Sequence, residues 1–225
     1  RVLFRSGQRV VRVVHDGAAV RRVETEAGVA YDTEEVVSTL PLPVLLRSLD
    51  PAAPDTVLEH AAALRQRQVR LVGILLDRPA VTGSATVYFP DPSVPFTRVS
   101  EPRNRSPEMA PPGRTSLLVE LPCQRDEPTW TSDGPDLAGR VVDHLASTGW
   151  FDRDEVLGTF ERRLVDAYPI LELGCEAHVG AILDYLSGLS NLHFAGRNGL
   201  FMYGWIHDMM RMGKDLVDRA ARTRS

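Results

Sequence analysis

Between Leu192 and Ala195 a short apolar run stops at Gly196, passes through a loop, and re-emerges at Trp205 with helical spacing. A strand that ends on glycine and feeds a helix restricts the fold strongly. The glycine permits a close backbone approach, and the helix start leaves N–H groups without intrahelical partners. Those groups suit an anion or a carbonyl oxygen, so the spacing predicts a ligand-binding strand–loop–helix turn. The helix, roughly Trp205 to Ala220, places Ile206, Met209, Met210, Gly213, Leu216, Val217 and Ala220 on one face.

The opening of the chain follows a different period. Val2-Leu3-Phe4, Val10 to Val14, Ala19 to Val23 and Val29-Ala30-Tyr31 are short β-rich runs separated by Ser6-Gly7, Asp16-Gly17 and Ala27-Gly28, which predicts an antiparallel meander. Glu34 to Leu40 adds a buried strand that ends at Pro41. Leu42 to Leu49 and about Thr56 to Arg67 are expected as helices, and Val69 to Asp77 as a strand because it is short and β-branched. Thr86 to Phe89 pairs with Phe96 to Ser100 across a proline-rich turn, Arg103 to Gly113 is loop, and Thr115 to Leu121 is a strand. After the polar loop Gln124 to Asp133, Leu137, Val141, Val142 and Leu145 mark an amphipathic helix. Asp152 and Glu155 have capping-box spacing, Thr159 to Asp166 reads as a strand, and Glu176 to Leu186 as a helix. The fold class is mixed α+β, with antiparallel strands predominating.

Composition narrows the partners. A net charge of −4 lacks the basic balance that phosphate backbones require, so nucleic acid is not an expected partner. No apolar run approaches the roughly 20 residues of a membrane span. Cys123 and Cys175 stand apart with no CxxC pair, so a reduced, cytoplasmic setting is expected. The six histidines show no metal-ligand spacing, which predicts no metal site. There is no GxSxG elbow, no phosphate loop and no GxGxxG. His207 and Asp208, adjacent on a helix, point about 100° apart and form no dyad by themselves. No acid, base or nucleophile stands out, and the catalytic residues stay unassigned.

The order of several segments resembles the C-terminal portion of FAD-dependent amine oxidoreductases, the amine oxidase and protoporphyrinogen oxidase-like superfamily, with relatives among the UDP-galactopyranose mutases. Tyr31-Asp32-Thr33 with Val36 to Pro41 is similar to the segment that re-enters near the cofactor diphosphate. Tyr88 to Asp91 and Phe96 to Val99 resemble the substrate-domain sheet, and Ala167-Tyr168-Pro169 the strand beside the flavin. Phe194 to Arg197 and Gly204-Trp205-Ile206 resemble the last flavin-binding element. The resemblance implies residues 1–44 as FAD-domain meander and re-entry strand, 45–188 as an antiparallel substrate domain with helices, and 189–225 as the closing FAD-domain strand and helix.

It also implies cofactor contacts from Val10, Thr39, Gly196, Arg197, Gly204, Trp205 and Ile206, with the Ile206 N–H facing a flavin carbonyl. Tyr168, Arg98 and Trp205 would meet a small-molecule substrate. Arg98 reads equally as an exposed strand arginine, Trp205 and Tyr168 as core aromatics, and Cys175 as an inert buried thiol. The family's GxGxxG dinucleotide unit is missing, so a further N-terminal half or a partner chain is expected to supply it, and a start at Arg1 fits a piece of something longer. The implied activity is hydride transfer from substrate to FAD. The alternatives are a UDP-sugar mutase-like isomerase, with Arg98, Arg103 and Arg105 as a diphosphate pocket, and a cofactor-free binding subunit or remnant.

Overall fold

Asp-Gly and Gly turns separate runs too short for helices, and the first of them become three antiparallel strands: β1 (Val10–His15), β2 (Val20–Thr25) and β3 (Ala30–Asp32). The computed structural model describes residues 4–223, and residues 219–223 only as backbone. Val2 and Leu3 lie outside the described residues, and the neighbouring Phe4 is exposed and outside any strand. The expected strand 34–40 shortens to β4 (Val36–Ser38), where Val37 is exposed rather than buried. Leu42, Leu45, Leu46 and Leu49 share one side of α1 (Leu42–Ser48), which starts at Pro41 and runs into β5 (Leu49–Asp50).

α2 (Asp55–Ala63) follows Pro54 and is shorter than expected, because Gln66 already enters β6 (Gln66–Leu76). Next come β7 (Thr86–Tyr88), β8 (Arg98–Ser100) and β9 (Thr115–Cys123). The connection expected as plain loop holds two short 3-10 turns, Pro102–Asn104 and Pro107–Met109. α3 (Pro128–Thr131) is a single turn inside the expected polar loop, and α4 (Gly134–Ser147) is the amphipathic helix. The Asp152–Glu155 capping box forms as its spacing predicts. β10 (Val156–Pro169), α5 (Cys175–Leu186), β11 (Leu192–Phe194), α6 (Gly196–Gly199) and α7 (Ile206–Thr223) complete the order.

The chain divides into two units, one running to Gln66 and resuming at Pro169, the other spanning Arg67–Tyr168. The boundaries of these compact units fall near residues 66 and 169. The reason is packing: α1, α2 and α5 bury Leu45, Leu46, Ala61, Ile182 and Leu186 in one cluster with Val13, Val20 and Leu192. In this unit β3-β2-β1-β5 form one sheet, with β1 and β5 parallel, and β11 pairs in parallel with β4.

Asn191 locks that pair into the unit. Its Oδ1 accepts the Val20 N–H (2.7 Å), its Nδ2 donates to the carbonyls of Val20 (2.8 Å) and Glu34 (2.9 Å), and its own carbonyl accepts Val36 N–H (2.9 Å).

The second unit is a five-stranded sheet in the order β10-β6-β9-β8-β7. β9 alternates strictly, with Leu117, Val119 and Leu121 buried against Val141, Val142 and Leu145 of α4, and with Leu118 and Glu120 on the other face. Two charges are buried here, each with several hydrogen-bonding partners, although Arg70 Nε has none among the described residues. Arg70 donates through Nη1 to the carbonyls of Thr129, Trp130 and Ser132, each at 3.0 Å, and through Nη2 to Glu161 at 2.5 Å. Glu101 accepts from Val81 N–H (2.9 Å), Thr82 N–H (2.8 Å), Thr115 hydroxyl (2.7 Å) and Asn104 Nδ2 (3.0 Å). Burial pushes the Glu101 carboxyl up, but these hydrogen bonds outweigh it and hold its pKa below the usual value. Among the described residues no helix is long and apolar enough to cross a membrane.

Two outcomes follow from these polar anchors. Asn191→Ala strands the Val20 and Glu34 backbone groups and should cost about 2–3 kcal/mol, seen as a lower urea midpoint at unchanged slope. Because the folded pKa of Glu101 is depressed, its contribution is complete above the unfolded value of ~4.3 and drains away as pH falls through the folded one. The stability gap between the native chain and Glu101→Gln should thus be widest near neutrality and close on acidification, as read by denaturant titrations at several pH values.

Candidate functional site

In the first unit the parallel pairing of β4 with β11 sets Phe194 against Ser38, and Ala195 N–H donates to the Ser38 carbonyl (3.0 Å). The next residue, Gly196, turns the chain with φ +82°, a conformation that strains any side-chain-bearing residue. A Cβ there would sit 3.7 Å from Thr39 Cβ, so two expected cofactor residues, distant in sequence, are neighbours in space. Gly199 comes closer still, where a Cβ would lie 3.1 Å from the Ser38 carbonyl oxygen. Gly196 N–H points to Met212 Sδ (3.1 Å), and Met202 N–H bonds the Arg197 carbonyl (2.8 Å), which folds α6 back toward the start of α7.

α7 begins in solvent. Trp205 is 76% exposed and Ile206 82%, which removes the core-aromatic reading of Trp205. Trp205 N–H donates to Asp208 Oδ2 (2.9 Å), while the Trp205 carbonyl accepts from Asp208 and Met209. Asp208 is therefore a capping residue, placing a carboxylate where the helix macrodipole favours one. Among the described residues the Ile206 and His207 N–H groups have no such partner. His207 Nε2 lies 3.5 Å from Asp208 Oδ1, so the two adjacent side chains do meet despite their angular separation. The apolar face expected for α7 is mostly uncovered: Leu216 is buried, whereas Ile206, Met210 and Val217 are exposed, and the side chain of Ala220 lies outside the described residues.

Val10 is apart from this bend in the strand order. It sits on β1, opposite Thr25, half-buried against the unit's core. Cys175 is buried at the start of α5, and burial, aided by Glu176, pushes its thiol pKa up, which disfavours the reactive thiolate.

In the second unit, strand register builds a row across the sheet face opposite α4. Tyr88 pairs with Arg98, Arg98 with Glu120, and Glu120 with Leu71. Arg98 Nη2 donates to Glu120 Oε1, the Tyr168 hydroxyl lies 3.4 Å from both Glu120 Oε2 and Arg98, and the Arg98 guanidinium lies 5.9 Å from the centre of the Tyr88 ring. Arg98 and Tyr168, proposed independently from sequence, are thus one cluster. The residue that joins them, Glu120, was not anticipated; its signal was only its even position in an alternating strand. Burial lowers the Arg98 pKa, yet the hydrogen bonds it donates to Glu120 and Tyr88 and the Glu120 charge outweigh this and raise the pKa above its ordinary value. Arg103 donates to the Arg114 carbonyl (3.2 Å) and Arg105 to Thr86 Oγ1 (2.9 Å), so with Arg98 paired the three arginines make no free basic cluster. A cavity of about 420 Å³ at Asp133–Pro135 and Phe160, and an apolar one of about 170 Å³ at Leu75, Met109 and Leu157, are not lined by this row.

The family model described as flavin containing amine oxidoreductase matches residues 1–199. Reduced UDP-galactopyranose mutase superposes with a TM-score of 0.72 at 18% identity, over 87% of this chain and 41% of the mutase. An Exiguobacterium protein assigned as a protoporphyrinogen oxidase gives 0.62 at 16% identity, over 84% and 41%. A redesigned putrescine oxidase gives 0.60 at 15% identity, over 96% and 48%. The chain therefore spans less than half the length of these structures, and at such identities the likeness is one of fold. Searched by sequence against curated proteins, it matches none.

The Glu120 cluster has a measurable energy. Glu120→Ala leaves a half-buried guanidinium unpaired and should destabilise the second unit by about 2–3 kcal/mol. Arg98→Ala/Glu120→Ala should cost less than the two single changes summed, by roughly 1–2 kcal/mol in a denaturation cycle.

Proposed function

The chain belongs to the family of flavin containing amine oxidoreductases, and from that premise we propose that it forms part of a cytoplasmic FAD-dependent oxidoreductase acting on a small organic substrate. The observation that carries the proposal is the solvent-facing start of α7, an 18-residue helix whose Ile206 and His207 N–H groups, without a partner among the described residues, lie beside an exposed Trp205. Oriented backbone donors at a helix start fit a flavin carbonyl edge, where they favour developing negative charge by roughly 0.3–1 kcal/mol. A bound flavin would accept a hydride equivalent from the substrate.

This chain's residues bind and orient. Thr39, Gly196 and Arg197 serve the ribityl and diphosphate side, where the glycine lets the backbone come close. Gly204, Trp205 and Ile206 serve the ring edge, Trp205 also shielding it from water, and Val10 serves the adenine side. Arg98 and Tyr168, aligned by Glu120, hold the substrate. Hydrogen-bonded to one another, they present a fixed polar row rather than mobile side chains, which supports orientation of a substrate. The glycine-rich diphosphate cradle is not in residues 1–225, and we assign it to polypeptide beyond them, as a further N-terminal segment or a partner chain. The uncovered apolar face of α7 supports a covering segment of this kind. An isomerase that grips a sugar-nucleotide diphosphate draws less support, because Arg98, Arg103 and Arg105 are each engaged within the protein.

The intact polypeptide, isolated with flavin or supplied with FAD, should absorb in the blue and lose that band when an oxidisable amine is added without oxygen. A protein that takes up no FAD overturns the reading. Ile206→Pro removes a single N–H at the first helical position, where proline is tolerated. It should weaken FAD binding by about 3–10-fold with helix content unchanged, measured by flavin fluorescence titration and circular dichroism.

A further inference from the structure

Two histidines that the proposed site does not use form a close pair in the first unit. His60 on α2 and His178 on α5, 118 residues apart, place their Nδ1 atoms 2.8 Å apart, with ring centroids separated by 5.1 Å and planes tilted by 54°. Both histidines are half-buried. Their helices are held together independently, since Val57 and Leu58 of α2 and Val179 and Leu183 of α5 pack into the same apolar cluster. The geometry of the pair is therefore imposed by the core.

We propose that His60 and His178 form a two-imidazole site for a borderline divalent cation of the zinc or copper type, stapling α2 to α5. Imidazole nitrogen suits such ions over calcium or magnesium. With zinc–nitrogen bonds of about 2.0–2.1 Å, two nitrogens at the observed separation reach one ion at an angle of about 85°. Widening the gap by about 0.5 Å opens the angle to tetrahedral, a displacement within reach of ring rotation. In the pair as it stands, one ring donates its Nδ1–H to the bare Nδ1 of the other. On binding, that proton leaves Nδ1 and the donor ring's Nε2 takes one up, so two neutral rings ligate with no net proton lost. Among the described residues no group of three or more His, Cys, Asp and Glu side chains could hold a metal. The site accordingly has two protein ligands and is completed by water, exchangeable rather than closed.

Its position gives the staple a structural consequence. The chain leaves the first unit just after α2 and returns to it just before α5, and these two strands of the stem are already tied. Ile170 N–H donates to the Arg65 carbonyl (2.9 Å), and Arg65 pairs with Glu172 (2.7 Å). An ion on His60 and His178 adds a third tie to the same stem, and fixes the spacing at which the chain leaves and returns.

Calorimetric titration of the metal-free intact polypeptide with Zn²⁺ near neutral pH tests the proposal, with thermal unfolding alongside. Stoichiometric binding of one ion at the strongest site and a rise in Tm are expected. His60→Ala and His178→Ala should each weaken that binding roughly tenfold or more, whereas His144→Ala should leave it unchanged. Electron paramagnetic resonance of the Cu²⁺-loaded protein should show two nitrogen donors, falling to one in either alanine variant. Equal Zn²⁺ affinity in the native chain and both variants would overturn the proposal and leave the pair a plain hydrogen bond between helices. Should the alanine variants not fold, the native Cu²⁺ spectrum decides alone, and fewer than two nitrogen donors rejects the site.

Discussion

The side chain of Asn191 joins parts of the first unit that are otherwise far apart in the chain. It reaches the backbone of β2 in both directions and the carbonyl before β4, and its own carbonyl begins the β4–β11 ladder. A two-stranded parallel pair of three residues each has little stability of its own. Anchored by Asn191 and by the buried Leu192, it holds Thr39 against Gly196 and sets where the chain turns toward α7. The amides of Ile206 and His207 owe their position to this small piece of sheet.

The second unit relies on a different economy of charge. Arg70 and Glu101 are buried, and each meets several hydrogen-bonding partners, the arrangement that makes buried charge tolerable. Arg98 and Glu120 form the same kind of pair on the opposite face of the sheet, but only half-buried and flanked by the phenols of Tyr88 and Tyr168. One strand, β9, serves both purposes, with odd residues in the apolar core and Glu120 turned to the polar row.

Local pattern made much of the fold legible. The strict alternation of Thr115 to Leu121, the helical spacing of Leu137 to Leu145 and the Asp152–Glu155 box each correspond to the element they predict, whereas the loop expected after Ala195 opens with the helical turn α6. Element ends were less legible, because Gln66 and Val156 extend their strands through pairing with distant partners, a force absent from a local window. The site was legible in pieces. Gly196 and Trp205 carried signals of their own, and Arg98 and Tyr168 came from family resemblance. Glu120 had none, since an acidic residue on the outer face of a strand looks solvated until a cross-strand arginine is found beside it. His60 and His178 escaped for the same reason.

The amino-acid sequence by itself determined most of the longer strands and helices and where glycine must turn the chain, because these depend on neighbours within a few residues. Only the tertiary structure decided that the chain divides near residues 66 and 169, that Thr39 touches Gly196, that Glu120 joins Arg98 to Tyr168, and that two histidines meet. Contacts of that range are chosen by the burial of whole apolar faces, and no local pattern encodes which faces will meet.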